Sequence, residues 1–183
     1  MAKQKLIWIN TTGGPHLLVS EKHATLWEGV AEPSHGRKVN ATFRYARSGP
    51  ATDYDRACDV SGWLGAVRVG RGSGVVLTGD VTAAAHYEWA GRHFILRWVC
   101  APSEAALLTR FHAAAASLVA DEEAFFRHPG GRMVLLDAGD ISREWLGDHF
   151  EFELPAGRYR VTAVWSKTKD VSFIAHELQR VEA

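Results

Sequence analysis

Apolar side chains return at every second position through most of this chain, in short runs that break at Gly, Pro or Asp. Successive side chains of a strand point to opposite faces, so period two marks half-buried strands and leaves little room for helix. Segments 6–9, 17–19, 63–69, 75–78, 85–89, 93–100, 124–127, 133–137, 149–154, 158–165 and 172–178 read this way, with 24–27 a weaker member. Gly-rich connections between several of them, among them VGRGSG and AGR, suit hairpin loops. In 93–100, Phe94, Leu96, Trp98 and Cys100 share one face and Ile95 and Val99 make the other apolar, as expected of a central strand.

One helix interrupts the pattern, at about 102–120. Pro102 and Ser103 suit its first turn, and Leu107, Leu108, Phe111, Ala115, Leu118 and Val119 recur at three- and four-residue spacing. A mainly β, α+β fold follows: packed antiparallel sheets, sandwich-like, with this helix over one face or edge. The 183 residues fit a single domain, and segment 31–52, basic and bounded by Pro33 and Pro50, reads as a surface loop or insertion. FEFELPAGRYRVTAVW reads as a hairpin whose turn brings Glu153 to Arg158 and Glu151 to Arg160.

The stretch DYDRACD, residues 53–59, concentrates the polar chemistry. It fails as a calcium loop, because Ala57 and Cys58 stand where an Asp or Asn and a Gly are required. No apolar strand precedes it to hold an aspartyl nucleophile. It succeeds as structure: Asp53 or Asp55 caps a helical turn, Arg56 pairs locally and Cys58 turns inward. Cys58 and Cys100 are the only cysteines and form no CxxC; both are expected reduced and buried. The nine histidines show no zinc spacing, although His86 and His93 bracket a hairpin and can approach each other. GRGSG fits neither a dinucleotide fingerprint, a P-loop nor a nucleophile elbow. No catalytic, metal or cofactor site is expected from these patterns.

With 21 basic and 21 acidic residues the net charge is zero, which argues against nucleic-acid binding through bulk positive charge. The first residues carry too short an apolar run for a signal peptide, and no run approaches the ~20 residues that span a bilayer. A cytoplasmic protein with no membrane partner is expected. Charge is unevenly spread all the same. Residues 35–72 hold seven Lys/Arg against three Asp/Glu, and residues 121–155 hold nine Asp/Glu against three Lys/Arg. An acidic region of this kind can dock a basic partner and speed encounter.

Several stretches, taken in order, resemble the bacterial immunity protein 21 family: Trp8-Ile9 before Gly13-Gly14-Pro15, DYDRACDVSGWLGAVRVG at 53–70, VVLTGD at 75–80, LRWVCAPSEAALL at 96–108, VLLD at 134–137 and ELPAGRYRV at 153–161. The resemblance implies an immunity protein encoded beside a bacterial polymorphic toxin, which binds that cognate toxin and neutralises it without catalysis or cofactor. Asp53, Tyr54, Asp55, Arg56, Cys58 and Trp98 stand in the resembling stretches and are expected to be structural. Asp121, Glu122, Glu123, Asp137, Asp140, Glu144 and Asp148 are the expected partner-binding residues, with the basic 35–72 segment second. Two alternatives stay open, and the oligomeric state is not legible. One is a small-molecule, sugar- or peptide-binding sandwich using Trp27, Trp89 or Trp145. The other is a small hydrolytic enzyme using His86, His93 or the DYDRACD carboxylates.

Overall fold

The computed structural model describes residues 5–30, 51–115, 119–140 and 148–181. Two antiparallel sheets carry the architecture. In sheet A the strand order is β1 (Ile9–Asn10), β5 (Ala83–Trp89), β6 (Arg92–Cys100), β11 (Ser172–Val181), β10 (Gly157–Lys167) and β7 (Glu122–His128). In sheet B it is β3 (Leu64–Val69), β4 (Gly72–Leu77), β2 (His16–Ser20), β8 (Gly131–Asp137) and β9 (His149–Leu154). β6 lies between β5 and β11, the central place its two apolar faces anticipate.

Burial on both faces of each sheet follows from three apolar clusters. Between the sheets pack Leu18, Val75, Leu77, Ile95, Phe126, Leu135, Phe150, Phe152, Tyr159 and Val161. Helix α3 (Glu104–Ala114) lays Leu107, Leu108 and Phe111 against Phe94, Leu96 and Phe173 on the outer face of sheet A. Ser103 caps it by accepting the Ala106 N–H at 3.2 Å. It is shorter than the expected 102–120, ending with Ala115 as C-cap; residues 116–118, with Leu118, lie outside the described residues. On the outer face of sheet B, Trp27, Ala57, Val76, Val134 and Leu136 form the third cluster beneath α1 (Glu21–Ala24) and α2 (Asp53–Cys58).

Three expectations are corrected. Segment 24–27 is not a strand: α1 ends there, and Trp27 folds onto sheet B, where its indole N–H donates to the Ala138 carbonyl at 2.8 Å. A four-residue run is too short for alternation to separate strand from turn. Residues 149–154 and 158–165 do not form a hairpin, because β9 pairs with β8 in sheet B while β10 lies between β7 and β11 in sheet A. Both ladder edges of β10 are already taken, so Pro155 and Ala156 carry the chain from one sheet to the other. The imagined charge ladder is replaced accordingly: Glu151 accepts from Arg132 at 2.8 Å, while Arg160 reaches Gln179 and, at 3.8 Å, Glu123. Third, both cysteines are free thiols, but Cys58 is half-buried and Cys100 exposed, beyond the irregular pairing at Ser172 and Phe173. Of segment 31–52, residues 31–50 lie outside the described residues.

A charged group occupies the space between the sheets. Arg97 of β6 is 0% exposed, and its guanidinium donates to the carbonyls of Thr78, Gly79 (3.1 Å) and Val81 (2.5 Å). Those carbonyls belong to the segment that crosses from β4 in sheet B to β5 in sheet A. Burial lowers the Arg97 pKa to about 10, which leaves it cationic at neutral pH. His16 and His176, both fully buried, feel that cation. Burial first, then Arg97, lowers His16 to about 3; the Thr82 backbone opposes this weakly, outside ordinary hydrogen-bond geometry. Burial and the same guanidinium hold His176 well below its ordinary value. Both rings are neutral in the folded protein.

Arg97→Met removes the donor from three backbone carbonyls and should lower the unfolding free energy by ~2–3 kcal/mol, read as a shifted urea midpoint. An unchanged midpoint would show that water replaces the guanidinium. Acid should unfold the protein early. Unfolded histidines take up protons below about pH 6.5, whereas His16 and His176 resist them, so stability is full above that pH and falls below it. Each contributes a slope approaching ~1.4 kcal/mol per pH unit, and His176→Phe should flatten the curve of urea midpoint against pH between 6.5 and 4.

Candidate functional site

Two chain crossings meet at one end of the sandwich. Thr11 to Pro15 lead from β1 to β2, and Thr78 to Thr82 lead from β4 to β5. The TTGGP crossing is shaped by its own threonines. Thr11 Oγ1 donates to the Gly14 carbonyl at 2.9 Å, and Thr12 donates through both N–H and Oγ1 to one Asp137 oxygen, at 2.7 and 2.9 Å. The other Asp137 oxygen accepts from Gly139 at 2.9 Å. Tyr54 then packs on Gly14 so closely that a side chain there would collide with its phenol ring.

Tyr54 is held by α2, and the DYDRACD carboxylates explain why the helix starts where it does. Thr52 is the N-cap: Oγ1 accepts the Asp55 N–H at 3.1 Å, and Asp55 Oδ2 accepts the Thr52 N–H at 2.7 Å. The cap is thus a reciprocal box in which Asp55 is the third helical residue. Asp53 accepts from the Glu28 N–H at 3.0 Å and from Arg56 at 3.1 and 2.5 Å. Arg56 also donates to the Arg68 carbonyl at 2.7 Å and lies 5.2 Å above the Trp27 ring. Both carboxylates are buried and engaged in folding. Trp98, the remaining residue from the resembling stretches, sits edge-on to Trp8 at 5.2 Å on the α3 side of sheet A.

Between the crossings and α2 opens a cleft of about 460 Å³, lined by Gly13, Gly14, Pro15, Tyr54, Ala57, Cys58, Val60, Gly62, Thr78, Gly79 and Asp80. The glycines leave backbone groups within reach of a guest; the polar side chains are a phenol, a thiol, a hydroxyl and the exposed Asp80 carboxylate. Burial raises the Cys58 pKa, a Tyr54 hydrogen bond opposes this, and Asp55 and Asp137 add to the rise. The sulfur is therefore a thiol at neutral pH and a poor nucleophile.

The acidic residues gather at this same end. Asp137 ends β8 and Asp140 follows it, with the Tyr54 ring beside the intervening Gly139, and Asp148 precedes β9. Asp140 is half-buried, and burial, then Asp137 and Asp148, raise its pKa. Across the cleft, Glu122 accepts the Trp63 N–H at 2.7 Å beside Gly62, and Asp121 accepts the Trp165 N–H at 3.0 Å. Two members differ from the rest. Asp137 is 3% exposed with its oxygens engaged inside, so it holds the loop rather than facing outward. Glu123 points to the outer face of sheet A, toward Arg160. Glu144 lies outside the described residues.

Residues of the alternative readings are placed elsewhere. His86 Nε2 and His93 Nδ1 stand 3.1 Å apart, with His86 stacked 4.0 Å from Phe152. Burial and then His93 lower His86 to about 4, while Asp55 serves the α2 cap and Asp53 holds Arg56. Trp27 is fully buried, Trp89 packs against Phe111 of α3, and Trp145 lies outside the described residues. Among the described residues no three His, Cys, Asp or Glu converge to hold a metal ion, and no helix is long and apolar enough to cross a membrane. Sequence reasoning missed Thr52, although T-x-x-D before an apolar turn is a capping signature, and it missed Asp80 and the cleft glycines, which only the crossings bring together.

A family model described as Immunity protein 21 matches residues 7–172. The chain belongs to that family. No curated protein and no solved structure matches it. The family's description implies an immunity protein acting against a toxin. Three of the stretches that carry the likeness, TTGGP, DYDRACDVSGW and LTGD, supply the whole lining of the cleft.

Gly14→Ala should push the Tyr54 ring aside and destabilise the protein by ~1–3 kcal/mol. In a Cys100→Ser background it should also speed thiol labelling of Cys58, and an unchanged labelling rate would mean that Tyr54 does not shield the sulfur.

Proposed function

We propose that this protein is a cytoplasmic, non-catalytic inhibitor that binds the toxin of its own polymorphic toxin system with the acid-rimmed end of the sandwich. The observation that supports this reading is the cleft itself: three family stretches line it, Asp80 is in its lining, and Asp121, Glu122, Asp140 and Asp148 belong to segments at the same end of the sandwich. Family membership supplies the partner class, and the rim supplies the partner's chemistry, a basic surface or loop.

Inhibition by occlusion needs a rigid face of roughly 800 Å² per partner with opposite charge across it. Rigidity comes from β-crossings and α2, fixed by the Thr12–Asp137, Asp53–Arg56 and Thr52–Asp55 contacts. The raised Asp140 pKa records mutual repulsion among carboxylates and the loss of water around one of them. A lysine or arginine from the partner relieves the repulsion, and a guest in the cleft meets open backbone at Gly13.

The test is binding to the toxin encoded beside this protein. Asp80→Lys, Asp121→Lys, Asp140→Lys and Asp148→Lys together should weaken binding at least a hundredfold and flatten its dependence on salt, with the urea midpoint little changed. Undiminished affinity would place the contact on another surface. Failure of the intact protein to bind or protect would remove the function itself.

A further inference from the structure

The opposite end of β4 carries a second cleft, of the opposite charge. β4 runs from Gly72 to Leu77, so its two ends lie roughly 17 Å apart. At the Gly72 end a cleft of about 500 Å³ opens between the β3–β4 hairpin and the β7–β8 turn, with Arg68, Arg71, Ser73, Arg127, His23 and Gly157 among its lining. We propose that this cleft is a binding site for a phosphate-bearing small ligand, up to the size of a mononucleotide.

Arg68, Arg71 and Arg127 all line one concavity, and among the described residues none of the three has a carboxylate partner. The nearby acids are committed: Glu21 and Glu151 both pair with Arg132, at 2.9 and 2.8 Å. Glu153 acts electrostatically on His128, where Lys22 opposes it. All three arginines are exposed, so water screens part of their mutual repulsion, yet like charges lining one concavity still disfavour one another. An anion removes that repulsion and recovers charge-assisted hydrogen bonds from planar forks suited to phosphate oxygens.

Local geometry favours close approach. Arg71 sits at the tip of the hairpin, between Gly70 and Gly72, and the loop there is only two residues long. Gly72 has no room for a side chain because the His23 ring fills that position, which brings the ring and the hairpin backbone together. Arg127 is anchored through its backbone, which donates to Ser73 Oγ at 3.2 Å, so the β7 arginine and the hairpin are held as one unit. The volume lies within the ~300–1,000 Å³ of small-ligand pockets and exceeds what a lone phosphate fills. The GRGSG stretch lacks a P-loop, and its role here rests instead on flanking arginines.

The probes are inorganic phosphate, adenosine monophosphate and acetate, added to the intact protein in titration calorimetry at low ionic strength. Adenosine monophosphate should bind at least tenfold more tightly than inorganic phosphate, and acetate should bind negligibly. Arg71→Gln with Arg127→Gln should weaken phosphate binding at least tenfold while leaving the urea midpoint and toxin binding unchanged. Equal affinity for phosphate and the nucleotide would reduce the site to a bare anion pocket and overturn the size assignment. Absence of binding by either probe, or binding that survives the double substitution, would overturn the proposal. Neither result bears on the acidic end, because Asp80, Asp121, Asp140 and Asp148 are untouched.

Discussion

The buried guanidinium of Arg97 is the interaction on which the two-sheet arrangement turns. A cation between the sheets would be prohibitive without compensation. Here the compensation comes from three backbone carbonyls of one crossing segment. Those carbonyls have left the β4 ladder and not yet entered β5, so they need donors as much as the guanidinium needs acceptors. By satisfying them, Arg97 sets the path of residues 78–81, and that path forms one wall of the acidic cleft. The neutrality of His16 and His176 follows first from burial in the same dry interior, and the Arg97 charge adds to it.

Much of the fold was legible because alternation is a strong signal wherever a strand is long and one face is buried. The segments that became β3, β5, β6, β8, β9, β10 and β11 were readable within a few residues of their ends. Partnership was not. Phe150, Phe152 and Leu154 carry the same pattern whether β9 pairs with β10 or faces it across the core, and PAG looks like a hairpin turn in either case. What decides is whether the ladder edges of β10 are free, and they are filled by β7 and by β11, one earlier and one later in the chain. For the candidate site, the structural role of DYDRACD was readable from capping chemistry. Its position beside TTGGP and LTGD was not, since no periodicity encodes which crossings end side by side. Arg97 was hidden as well, lying in a strand whose neighbours already made both faces apolar.

The uneven charge of the sequence takes a simple spatial form. Asp80 lies in the crossing from β4 to β5 and Asp137 ends β8 at the same end, while Arg68, Arg71 and Arg127 line the cleft between the β3–β4 hairpin and the β7–β8 turn. A net charge of zero therefore conceals an uneven distribution of charge along the chain. Such a molecule orients in the field of a charged partner before contact. The crossings also lace the sheets together at both ends, so each cleft is framed by backbone that cannot move without separating the layers.

The placement of β11 has a bearing on how the chain is born. It is the last strand described, yet it lies in the interior of sheet A, hydrogen-bonded to β6 on one side and β10 on the other. During synthesis β6 and β10 must wait with open edges until residue 181 has cleared the ribosome, and pairing at such sequence separation is slow. Sheet A, and with it the inter-sheet core, closes only after translation has passed that strand. A truncated chain lacking β11 would be left with two unpaired edges in the middle of its larger sheet, a template for self-association.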